Sequence, residues 1–92
     1  MRNTDWRIVI TRNLLKELKR RGIETRVLKT LRELDRRLDE EPEKVLESLM
    51  REPIIFELEE FKVRRLRIGS YRLFYIIDHE SCLLYTSPSP RD

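Results

Sequence analysis

A single cysteine, Cys82, stands in the 92 residues, so no internal disulfide can staple the chain. One histidine, His79, and no C-x-x-C pair leave no spacing suited to a zinc site, and neither a metal nor another cofactor is expected. Apolar runs are only a few residues long, and no apolar segment of signal-peptide length opens the chain. Neither a spanning helix nor an exported precursor is therefore expected, and a cytoplasmic protein is the expectation. So short a chain has too little interior for two cores, which predicts one small domain. The most pointed absence is local: no acid lies between Lys62 and Arg72.

What is present is charge, at 40% of residues against 39% hydrophobic, with a net +3. Cutting the chain by sign shows more than the net value does. Residues 1–32 hold ten basic and three acidic side chains, residues 33–60 hold four basic and eleven acidic, and residues 62–72 hold five basic and none acidic. Such segregation gives one face a positive potential on a nearly neutral molecule, as a phosphate-binding surface requires. The plainer reading is a set of solvated faces.

Trp6–Ile10 has the β-branched content of a strand, and Thr11 is a suitable helix N-cap. Leu14, Leu15 and Leu18 recur at helical spacing, and Gly22 closes that segment. From Glu24 to about Glu40, Val27, Leu28, Leu31, Leu34 and Leu38 follow the 3.6-residue period. Pro42 can open a further helix whose stripe is Val45, Leu46, Leu49 and Met50, and Pro53 halts it. The pattern then turns to β. Ile54–Glu60 is irregular, a strand, a loop or both; Lys62–Ile68 and Tyr71–Ile77 read as strands joined by a Gly69-Ser70 turn of the II′ kind. The order β-α-α-(α)-β-β-β predicts an α+β domain, an antiparallel sheet with helices on one face.

With Gly69 and Ser70 as loop residues, Ile68 faces Tyr71, Arg67 faces Arg72, Leu66 faces Leu73, Arg65 faces Phe74 and Arg64 faces Tyr75. Alternation puts Leu66, Ile68, Tyr71, Leu73 and Tyr75 on an apolar face and gathers Arg65, Arg67 and Arg72 on the other. Like charges directly opposite each other destabilise an antiparallel pair, so Arg67 across from Arg72 is a local cost. Arginine forks fit phosphate oxygens, and three on one face would stabilise charge on a phosphoryl group. The structural alternative is neutralisation by Glu57, Glu59 and Glu60. On the first expected helix, a stripe of Arg12, Lys16, Lys19 and Arg20 could hold further phosphates or be a solvated helix face. His79 falls in a turn with Asp78 and Glu80 and reads as a surface residue.

The run Arg65-Leu-Arg-Ile-Gly-Ser-Tyr-Arg-Leu-Phe-Tyr75, after a strand and helices of the right size, resembles the core motif of RelE toxins of type II toxin–antitoxin systems, R-x-R-x-G-D/S-Y-R-x-x-Y. The likeness covers roughly residues 6–80 and places the chain in the RelE/ParE superfamily. It implies a microbial-ribonuclease-like α+β fold and a metal-free endoribonuclease that cuts mRNA on the ribosome. It also implies a cognate antitoxin that covers or distorts this surface. Carried over by position, Arg72 is the catalytic arginine that binds the scissile phosphate, and Arg65 and Arg67 stabilise the transition state or hold substrate. Lys62, Arg64, Lys16 and Arg20 are the expected RNA-binding cations, and Tyr71 and Tyr75 are core residues of the motif. Two alternatives stand beside this: a ParE-like inhibitor of DNA gyrase, and a non-catalytic RNA-binding module.

The end of the chain departs from that pattern. CLLYTSPSPRD resembles a translated sequencing-adaptor or vector scar, so the toxin domain is read as residues 1–81 and residues 82–92 as a non-native tail. Cys82–Tyr85 could still pair as a strand; Ser87-Pro-Ser-Pro is a poor strand and a poor helix. Tyr85 and Arg91 are not carried over as catalytic residues, and an altered C-terminus would impair activity.

Overall fold

A computed structural model describes residues 6–88. A short strand β1 (Arg7–Ile10) leads into three helices, α1 (Arg12–Arg21), α2 (Glu24–Glu40) and α3 (Pro42–Met50). Four strands follow: β2 (Ile54–Leu58), β3 (Phe61–Ile68), β4 (Tyr71–Asp78) and β5 (Leu83–Pro88). Local chemistry sets the boundaries. The Thr11 Oγ1 accepts the Leu14 N–H at 3.2 Å, satisfying one of the free donors of the first turn of α1. Gly22 ends α1 at φ +71, in the left-handed region where glycine carries no Cβ penalty. Pro42 occupies the first turn of α3, where its missing N–H costs nothing.

The sheet runs β1-β5-β4-β3-β2. Its three pairings from β2 to β5 are antiparallel, as the α+β reading expects, and β1 lies parallel to β5, so the sheet is mixed. One face carries the core. Leu14 and Leu18 of α1, Val27, Leu31 and Leu38 of α2, and Val45 and Leu49 of α3 pack on Ile68, Tyr71, Leu73, Tyr75 and Leu84. Ile68, Tyr71, Leu73 and Tyr75 belong to the apolar set that strand alternation selects, and Leu84 of β5 joins them.

Residues 83–88, which the sequence assigns to the tail, form β5 between β1 and β4. The expectation of a poor strand at Ser87-Pro88 does not hold for these two residues. β1 ends opposite Thr86, so Pro88 pairs only with Leu73 of β4, and its absent N–H interrupts no ladder on the other side. The inward Thr86 is 1% exposed and its hydroxyl donates to the Val9 carbonyl at 2.8 Å, which ties the parallel pair together.

At the opposite end of the core, the Tyr75 hydroxyl donates to the Leu49 carbonyl at 2.5 Å, joining β4 to the last turn of α3. Burial, with the nearby Glu52 charge adding to it and Arg64 opposing, pushes the Tyr75 phenol well above its usual range, so it stays a neutral donor. Tyr75→Phe removes this bond while the Leu49 carbonyl keeps the Glu52 N–H at 3.4 Å, and is expected to cost about 0.5–1.5 kcal/mol. Thermal or urea unfolding of the variant measures this, and an unchanged midpoint would remove the tie from the account.

Candidate functional site

The β3–β4 hairpin has the register that alternation predicts at every position. Ile68 pairs with Tyr71, Arg67 with Arg72, Leu66 with Leu73, Arg65 with Phe74 and Arg64 with Tyr75. Gly69 sits at φ +63 and Ser70 is not among the positive-φ residues, the combination a II′ turn needs. In a two-residue hairpin the pair flanking the turn exchanges both backbone bonds, so the next pair out is the non-hydrogen-bonded kind, whose side chains stand closest together. That pair is Arg67 and Arg72.

Arg65, Arg67 and Arg72 therefore share the face of the sheet turned away from the helices. Arg67 is exposed, and Arg65 and Arg72 are half-buried. Among the described residues no acid pairs with any of the three, and the alternative of neutralisation by Glu57, Glu59 and Glu60 does not hold. The same face carries aromatic surface beside the cations. Phe74 is the cross-strand partner of Arg65 and meets Phe56 of β2 edge to face, with centroids 5.7 Å apart. Planar rings next to unpaired guanidinium groups offer a polynucleotide both base-stacking and phosphate contacts.

The other sequence-selected cations are placed elsewhere. Lys62 and Arg64 alternate onto the helix-side face, where both line a cleft with Met50 and Ile77. Arg64 is partly committed there, its Nη1 donating to the Glu52 carbonyl at 2.7 Å. Lys16 and Arg20 lie on α1, across the sheet from the arginine trio. Arg20 pairs with Glu17 at 2.6 Å; that bond and the neighbouring Arg21 hold the Glu17 carboxyl below its usual range. His79 is exposed and meets Trp6 edge to face at 5.8 Å. Tyr85 is on the same sheet face as the trio, but nearer the far end of β4, opposite Ile76. Arg91 lies outside the described residues.

One cation near the site escapes sequence reading. The Arg26 guanidinium of α2 lies against the hairpin turn, where a Cβ at position 69 would run into it. Gly69 thus serves twice, for its positive φ and for the approach of Arg26.

Chemically, the trio can bind a phosphate and offset charge developing on it, because rigid strand backbones hold the donors in place before substrate arrives. The unpaired charges also make a stability prediction. Arg67→Thr removes the like-charge pair and adds a β-branched residue, and is expected to raise stability by about 0.2–1 kcal/mol. Denaturant unfolding checks it, and a loss of stability would show that the arginine face is not frustrated.

Fold and arginine face together are those expected of a small toxin of the RelE/ParE superfamily. Residues 8–85 match the family model described as ParE toxin of type II toxin–antitoxin system, parDE. The chain belongs to that family, and a cognate antitoxin is its implied partner. No curated protein and no solved structure matches it. Among the described residues no helix is long and apolar enough to cross a membrane.

Proposed function

We propose that the toxin is an endoribonuclease that cuts mRNA, with the ribosome-bound message as its substrate. The observation that supports it is the pair Arg67 and Arg72, held side by side on an open sheet face without a counterion. A phosphate between them would relieve the repulsion and gain charge-assisted hydrogen bonds. In the proposed step the ribose 2′-oxygen attacks the adjacent phosphorus, losing its proton to solvent. The bond from phosphorus to the 5′-oxygen breaks, and that oxygen takes a proton from water. Products are a 2′,3′-cyclic phosphate and a free 5′-hydroxyl. Arg72 holds the scissile phosphate in line, while Arg65 and Arg67 offset the charge gained in the transition state. Lys62, Arg64, Lys16 and Arg20 would at most guide RNA from a distance, since none shares the face of the trio. The foreign origin of residues 82–92 belongs to the same proposal; its support is the adaptor-like run, and its consequence is a rate below that of the parental chain with its own C-terminus.

A second reading rests on the matched model, which carries the ParE name: ParE-like toxins inhibit DNA gyrase. One experiment separates the readings. The purified chain is incubated with ribosome-bound mRNA and, in parallel, with gyrase and relaxed plasmid. Discrete cuts with unimpaired supercoiling support the nuclease. Blocked supercoiling with intact message supports the gyrase inhibitor. RNA binding that weakens with salt and yields no product would reduce the face to a binding module.

A further inference from the structure

Several arginines on the helix surfaces are neutralised at helical spacing. Arg20 and Arg21 share Glu17, Arg36 takes Glu33 and Glu40, and Arg51 takes Glu47. Arg26 of α2, itself exposed, is placed otherwise. Three and four residues before it stand Ile23 and Gly22, and after it Lys29 and Thr30, so no acid lies one turn away and one neighbour carries the same charge. Glu24, the acid nearest in sequence, is taken by Lys19 at 3.9 Å. The Thr30 hydroxyl donates to the Arg26 carbonyl at 3.3 Å. Among the described residues no hydrogen bond or ion pair engages the Arg26 guanidinium, so its fork of donors stays open.

This open fork has a fixed place. It lies against the β3–β4 turn, where a Cβ on residue 69 would overlap its Nη2 and Cζ, so the absence of a side chain at Gly69 is what lets it settle there. The turn joins Arg67 to Arg72. Arg67 is two residues from Gly69, about 7 Å at the rise of a strand, a distance that one step of an extended polynucleotide spans. Lys29, a turn further along α2, lines the same cavity as Arg67 and extends the line of cations. Arg72, Arg67, Arg26 and Lys29 thus succeed one another around the tip of the hairpin, from the open face to the helix side.

We infer that Arg26 is a fourth arginine of the RNA site and holds the phosphate next to the scissile one, where the strand passes over the hairpin tip. The inference rests on reading the arginine face as an RNA site. The planar fork takes phosphate oxygens in the paired geometry that the trio also offers. A phosphate there relieves the repulsion that Arg26 shares with Lys29, as one between Arg67 and Arg72 does on the open face. Little side-chain freedom is lost on binding, because helix and glycine already seat the guanidinium. A second phosphate held at the tip also sets the direction in which the strand crosses the hairpin. Since this phosphate does not react, the contact is equally strong before and during bond breaking, so it lowers the substrate concentration needed without speeding the step itself.

The probe is a fluorescein-labelled 2′-deoxyuridine decanucleotide, which lacks the attacking hydroxyl and stays intact. Its binding is followed by anisotropy over a series of salt concentrations, with an unfolding curve for each variant. Arg26→Gln is expected to bind about fivefold more weakly at about 0.1 M salt and to flatten the plot of log affinity against log salt by about 0.7, the loss of one single-strand phosphate contact. Arg26→Lys should keep the slope. Gly69→Ala displaces the guanidinium and should reproduce the loss, and the double variant Arg26→Gln/Gly69→Ala should bind no more weakly than Arg26→Gln. If Gly69→Ala fails to fold, the slope of Arg26→Gln decides alone. An unchanged slope for Arg26→Gln, whether or not its melting point falls, or a parent chain that does not bind the probe, would overturn the inference. Cleavage is scored separately on ribosome-bound message. A parent that binds the probe through Arg26 but cuts nothing would sink the nuclease reading and leave this inference standing; cutting by the parent, with Arg26→Gln binding as tightly as it does, would do the reverse.

Discussion

Arg72→Ala is expected to lower RNA cleavage by about 10²–10³-fold, the usual consequence of removing one preorganised donor from a developing oxyanion. Three features make Arg72 the position with the largest effect. It lies on β4 opposite Arg67 of β3, one residue before Leu73, which is in register with both β3 and β5. Half-buried beside Phe74, its guanidinium works where water screens less than it does around the exposed Arg67. It also stands in the close pair with Arg67, so one phosphate can reach both forks. Arg72→Lys keeps the charge but loses the planar fork and should restore only part of the rate. Single-turnover cleavage of ribosome-bound message, with unfolding curves for each variant, separates chemistry from folding. Substitution on the open face should leave stability unchanged or raised, as for Arg67→Thr. Cleavage by Arg72→Ala equal to that of the parent would remove Arg72 from the proposed mechanism.

The opposition expected between these readouts is the signal that singled out the candidate site in the sequence. Folding alone gives no reason to set Arg67 opposite Arg72, and a local conflict in an otherwise consistent pattern marks a functional position. The hairpin was legible to the residue because two local signals agreed, alternation along both strands and a Gly-Ser turn of fixed length. Where only one signal existed, reading became coarse. β2 stayed ambiguous because every residue in it is exposed, a bulge interrupts its register after Ile54, and its turn to β3 has no glycine. Glu59 takes the left-handed conformation there, at φ +54, at a cost of about 1–2 kcal/mol. β5 was missed beyond Tyr85 because its place is set by partners outside its own sequence, Thr86 by Ile10 of β1 and Ser87 and Pro88 by Phe74 and Leu73 of β4. No local period encodes such a partner. For the cations the limit was the sheet itself. Lys16 and Arg20 share the sign of the trio but not its side, while Arg26 reaches the turn from a helix whose pattern records only its buried stripe.

Leu73→Ala should be the most damaging substitution for the fold. Leu73 is fully buried on β4, directly across from Leu66 on one strand and Pro88 on the other. It lies in the one core shared by all three helices. Truncation removes its transfer free energy and leaves a cavity that surrounding strands cannot close without breaking their ladders, which predicts a loss of about 2–5 kcal/mol. A domain of 92 residues is stable by about 5–15 kcal/mol in all. The variant is therefore expected to melt at least about 10 °C lower, since each kcal/mol moves the midpoint of a domain this size by about 4–8 °C. Activity should fall with it for a second reason: Leu73 directly follows Arg72, so the side chain that anchors β4 inward also fixes the direction in which the arginine points outward. Cleavage measured below the melting point of the variant tests this coupling. Full activity there, despite the lowered midpoint, would show that Arg72 is positioned by strand pairing alone and draws nothing from the packing beneath it.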